Sequence, residues 1–110
     1  MFVRDGRAFD AAANTTAQGY EVYYFAPNRR GGALAKEIER SMRAAIPDED
    51  RGVKTANFRV IKKSSPVPGV LVEVGFVSHP ASERLLATDA YRKKIAESIV
   101  QGIERYRGQK

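Results

Sequence analysis

Cysteine is absent from the 110 residues, which excludes disulfides, thiolate catalysis and cysteine metal sites while leaving the compartment open. Histidine occurs once, as His79. No apolar run approaches the roughly 20 residues of a membrane span. The opening residues, MFVRDGRAFD, contain no apolar stretch of signal-peptide length, so nothing in them directs export. Internal repeats and low-complexity segments are missing as well. Positive charge is in excess, with a net +6, but it is scattered over residues 29–30, 62–63, 92–94 and 105–110. Such a balance favours an anionic partner in general. The clusters do not interleave with aromatics as a single-strand platform would, so no nucleic-acid role is expected, and they read as solvated faces and a basic tail.

What is present suits one small domain. Hydrophobic residues make up 43% of the chain and charged residues 29%, enough for a core under an ordinary surface. Residues 1–18, rich in Ala, Asn, Thr and Gly, read as loop or poorly ordered after a short initial strand at most, and 19–107 as the core. YEVYYF at 20–25 is a strand by its aromatic and β-branched content. Residues 27–32 read as a turn, and 33–46 as an amphipathic helix on Leu34, Ala35, Ile38, Met42, Ala45 and Ile46, stopped by Pro47. PDEDRG reads as a polar loop and NFRVI at 57–61 as a second strand. A short helix is expected from Pro80 with His79 at its cap. A long final helix from Thr88 or Asp89 carries a stripe of Tyr91, Ile95, Ala96, Ile99, Val100, Ile103 and Tyr106. The order predicts an α/β domain, helix/sheet/helix in layers, with a mixed, mostly parallel twisted sheet. Three strands are few for a sheet buried on both faces, so the chain reads as missing N-terminal strands.

One residue asks for a functional explanation. In the 70–74 strand, VLVEV, the valines face one way and Leu71 and Glu73 the other, and both sets read as buried. An ionised carboxylate there is costly unless paired, hydrogen-bonded or beside a cation. Gly75 ends the strand, so Glu73 lies near the carboxyl end, where ligands collect in open α/β sheets. A structural carboxylate held by backbone amides or an arginine, and a catalytic one, both remain open on the residues alone. Glu21, between Tyr20 and Val22, is expected to face solvent. Arg51 is expected in a turn, facing water or touching substrate.

The run PGVLVEVGFVSHPASERLL at 68–86 resembles the C-terminal signature of zinc-dependent N-acetylmuramoyl-L-alanine amidases, which are cell-wall hydrolases. GYEVYYF, ALAKEI, RGVK at 51–54 and YRKKIAESIVQGIERY resemble further segments of that family in the same order, covering about 19–106. The resemblance implies the C-terminal portion of an amidase catalytic domain, peptidoglycan as partner, and a periplasmic, extracellular or cell-wall location. The reaction implied is hydrolysis of the amide between N-acetylmuramic acid and L-alanine. It also implies that zinc is held by two histidines and a glutamate, that Glu73 is the carboxylate polarising the attacking water, and that Arg51 contacts the peptide. This chain departs from the pattern: where a histidine is expected before YEVYYF the residues read FVRDGRAFD, and Asp5 falls roughly at the ligand position. His79 stands where the family has asparagine and is expected to cap a helix or hold a loop. Lacking ligands, the chain alone is expected to bind no zinc tightly and to be inactive. The alternative is a non-catalytic module that keeps the fold and binds peptidoglycan or an anionic polymer. An unpaired sheet edge left by absent strands predicts a tendency to form a homodimer.

Overall fold

The computed structural model describes residues 2–5 as a backbone path, and residues 19–74 and 88–109 in full. The expected helix at Pro80 and its cap at His79 lie outside the described residues. The described elements are β1 (Phe2–Asp5), β2 (Tyr20–Tyr24), α1 (Arg29–Ala45), β3 (Asp50–Thr55), α2 (Arg59–Lys63), β4 (Val70–Val74) and α3 (Asp89–Arg107). The strands form one sheet in the order β1-β4-β2-β3. β1 runs parallel to β4 and β3 parallel to β2, whereas β2 and β4 are antiparallel, so the sheet is mixed and mostly parallel.

Alternation along β2 and β4 divides the sheet into two faces. Tyr20, Val22, Val70, Val72 and Val74 join Leu34, Ala35, Ile38 and Met42 of α1 and Tyr91, Ile95 and Ile99 of α3 in one buried cluster. Val100, at 53% exposure, and Ala96 are exposed and fall outside the stripe expected for the last helix, whose buried residues are Tyr91, Ile95, Ser98, Ile99 and Gly102. On the opposite face Phe58, just before α2, packs edge-on against Tyr23 with ring centroids 5.2 Å apart. No described helix is long and apolar enough to cross a membrane.

Three segments differ from the sequence expectation, each for a local reason. α1 starts at Arg29, inside the expected turn, because Asn28 caps it: its Oδ1 accepts from the Gly31 N–H at 3.1 Å. Gly31 and Gly32 sit in the first turns because there is no room beside them. A Cβ on Gly31 would lie 3.0 Å from the Gly69 carbonyl oxygen, and one on Gly32 3.0 Å from the Tyr24 ring. The Asn28 amide also donates to the Val67 carbonyl at 2.8 Å, tying the start of α1 to the approach of β4.

The second correction concerns the polar stretch before Ala56. The PDEDRG loop and the RGVK turn, which includes Arg51, contain strand β3 instead. Gly52 adopts φ +86°, its N–H bonds the Asp50 carboxylate at 2.8 Å, and the β2–β3 register shifts across this point. Turn-forming residues here make a bulge in an edge strand rather than a turn. The third correction is NFRVI, whose strand expectation fails: Arg59–Lys63 is helical. Its inward residues, Phe58 and Ile61, are three apart, a helical spacing, and Val60 is exposed at 37%.

Candidate functional site

Glu73 is fully buried, one residue before the end of β4, on the face turned away from α1 and α3. Its cross-strand partner in β2 is Glu21 and its partner in β1 is Arg4. Two carboxylates directly opposite in an antiparallel pair repel each other unless one is compensated. Glu21 is compensated by groups of β2 and β3. It is 4% exposed and accepts hydrogen bonds from the Lys54 ammonium and, at 2.5 Å, from the Tyr23 hydroxyl. The Arg51 guanidinium stands 3.6 Å away.

Burial alone would raise the Glu21 pKa. The hydrogen bonds from Lys54 and Tyr23, with the charges of Lys54 and Arg51, more than reverse this, so it lies below the ordinary value of 4.5. Tyr23 shifts the other way. Burial raises its pKa first, then its bond to Glu21 and the charges of Glu21 and Glu73, so the phenol stays a donor. The influence of Glu73 on Tyr23 places all three on one electrostatic patch. Glu21 therefore contradicts the solvent-facing expectation: pairing with β4 covers one side of it and β3 supplies its cations. Lys54 joins the site from β3, opposite Tyr23 in register.

Arg51 belongs to this patch as well. Its side chain is 27% exposed and reaches Glu21 and, at 3.8 Å, Glu49, so it holds the carboxylates rather than facing open water. The strand register puts Asp5 beside Val74, one step along from the Arg4–Glu73 pair. His79 lies outside the described residues. Among the described residues, no group of three or more His, Cys, Asp or Glu side chains could hold a metal ion. The described face thus presents a buried carboxylate beside an ionised, cation-held one, an arrangement suited to proton transfer and not by itself to metal binding.

The comparisons with known proteins agree with this fold. The N-acetylmuramoyl-L-alanine amidase family matches residues 9–105. The probable cell wall amidase LytH of Staphylococcus saprophyticus is 30% identical over 97 residues, covering 88% of this chain and 32% of that protein. The N-acetylmuramoyl-L-alanine amidase AmiC2 of Nostoc punctiforme superposes with a TM-score of 0.83 at 31% identity, over 98% of this chain and 58% of AmiC2. The CwlD amidase of Clostridioides difficile, solved with the GerS lipoprotein, gives 0.85 at 27% identity, over 100% of this chain and 55% of CwlD. The chain spans about a third of LytH and somewhat more than half of the two solved amidase chains. With most of its length matched, and with a buried strand-end glutamate on a mixed α/β sheet, the chain belongs to the N-acetylmuramoyl-L-alanine amidase family.

Proposed function

We propose that this chain carries the proton-transferring part of an amidase that cleaves the bond between N-acetylmuramic acid and L-alanine in peptidoglycan, in the cell wall. The observation that supports it is the placement of Glu73: fully buried, near the carboxyl end of β4, opposite a Glu21 already neutralised by Lys54 and Arg51. A carboxylate so placed takes a proton from the attacking water and returns it to the departing amine of alanine. Glu21 is a positioning residue in this reading. Its contact with Lys54 ties β2 to β3, and the bond from Tyr23 within β2 fixes its carboxylate, keeping the floor under Glu73 rigid.

Zinc, which the family resemblance implies, is not accommodated by the described residues, so no step is assigned to it. Because the sequence before YEVYYF departs from the family's ligand pattern, we propose that the chain by itself binds zinc weakly and hydrolyses muropeptides poorly or not at all. Zinc titration by calorimetry, run beside a muropeptide turnover assay, tests this. Micromolar zinc binding with cleavage abolished by Glu73→Gln overturns the ligand argument and strengthens the catalytic one. Cleavage that survives Glu73→Gln overturns the role of Glu73.

A further inference from the structure

Away from Glu73, at the Tyr24 end of β2, lies a concave surface. β2 takes three residues from Glu21 to Tyr24, about 10 Å, and Tyr24 points to the α1 face, where its ring meets Gly32. There a cleft of about 360 Å³, lined by Tyr24, Arg29, Lys36, Glu37 and Gln109, adjoins one of about 380 Å³ lined by Arg29, Arg30, Tyr106 and Arg107. Arg29, Ala33 and Gln109 border both, so the two lobes are continuous.

Four cations line this cleft against one acid. Glu37, the acid, is buried and already engaged: it accepts from Gln109, and Arg40 lies 3.4 Å away. Arg29, Arg30, Lys36 and Arg107 are exposed, and among the described residues none of them forms an ion pair. By contrast Arg40, Arg43, Arg51, Lys54, Arg92 and Lys93 each have a carboxylate partner. Helix stability does not account for Arg29 and Arg30. They are the first two residues of α1, no acid shares that turn, and positive charge at a helix amino end opposes its dipole. Two residues that work against their own helix, beside two more unneutralised cations in one concavity, mark a binding surface.

We propose that this cleft binds a linear phosphodiester polymer of a polyol, an anionic wall-type chain, independently of any hydrolysis at Glu73. Each lobe carries cations of its own, Lys36 in the first and Arg30 and Arg107 in the second, with Arg29 between them. That spacing suits successive charges on one chain rather than a single ion. Three of the four are arginines, whose planar forks take two phosphate oxygens at once. Tyr24 and Tyr106 both pack against the core, so the cleft lacks the open aromatic platform on which nucleic-acid bases stack.

The test is calorimetric binding of poly(glycerol phosphate) to the whole chain, with inorganic phosphate and a single-stranded oligonucleotide of equal charge as comparators. With three to four phosphate contacts, affinity is expected to fall on the order of 50-fold between about 50 and about 200 mM salt. The triple change Arg29→Gln, Arg30→Gln, Arg107→Gln should weaken it roughly tenfold or more at constant salt, following the loss of those contacts. The triple change Arg59→Gln, Lys62→Gln, Lys63→Gln removes the same charge from α2 and should leave binding intact, as should Glu73→Gln. Circular dichroism checks that each variant is folded. The proposal is overturned by the absence of saturable binding, by equal losses in the two triple variants, by loss in Glu73→Gln, or by an oligonucleotide that binds as tightly as the polymer.

Discussion

Replacing Glu21 with glutamine tests the electrostatic core of the site. The side chain is 5% exposed, and it holds the Lys54 ammonium, the Tyr23 hydroxyl and the Arg51 guanidinium. Removing one partner of a fully buried ion pair costs about 3–5 kcal/mol. Here the cost is smaller, because the Lys54 side chain is 42% exposed and rehydrates when released. The amide oxygen of glutamine still accepts from Tyr23. The expected loss is therefore about 1–3 kcal/mol, a fall of roughly 1 M in the urea midpoint. The pH dependence fixes the cause. The folded pKa of Glu21 lies below its ordinary 4.5, so its contribution is complete above that value and disappears as pH falls through the folded pKa. Urea unfolding followed by circular dichroism, run from neutral pH downward into acid, follows that loss. The variant should be the weaker at neutral pH and converge on the wild type in acid. A loss that stays constant all the way down the acid series would refute the ion-pair account and leave only packing.

Three further outcomes follow from the geometry. Gly102→Ala should lower stability by roughly 1–2 kcal/mol even after the gain in helix propensity, because the added methyl would lie 2.6 Å from the Ile38 Cα at the α1–α3 crossing; thermal melting reads this, and an unchanged Tm would sink it. Burial, then a hydrogen bond with Asp50, raises the Glu39 pKa to about 7. The folded state then holds a proton that the unfolded chain releases near 4.5, so stability should decline between about pH 4.5 and 7, and Glu39→Gln should remove that slope and gain about 1–2 kcal/mol at pH 8. Asn28→Ala removes both the α1 cap and the bond to the Val67 carbonyl, for an expected loss of about 1–3 kcal/mol by urea titration.

The long elements were legible because their patterns repeat. α1 and α3 show a helical stripe over several turns, and VLVEV is apolar apart from Glu73 and is bounded by glycines. β3 was not, since an edge strand needs no apolar alternation and its bulge uses the residues that elsewhere make turns. The segment around α2 misled for the opposite reason. The five residues NFRVI carry no period long enough to tell strand from helix, and only their packing, with Phe58 on Tyr23 and Ile61 buried three positions on, separates the two.

The site divides along the same line. Glu73 stood out because its own neighbours in sequence are apolar, so the anomaly is local. Glu21 lies among tyrosines in YEVYY, between Tyr20 and Val22, and shows no local anomaly; its burial comes from β4 on one flank and from Lys54, 33 positions away, on the other. Strand alternation already placed Glu21 and Tyr23 on one face. What the sequence lacked was the antiparallel register that sets Glu21 opposite Glu73. That register also explains why two basic residues of a polar segment, Arg51 and Lys54, sit where they do. Two buried carboxylates placed opposite each other in adjacent strands repel unless they are compensated, and for Glu21 that compensation comes from the outer strand, through Arg51 and Lys54 of β3.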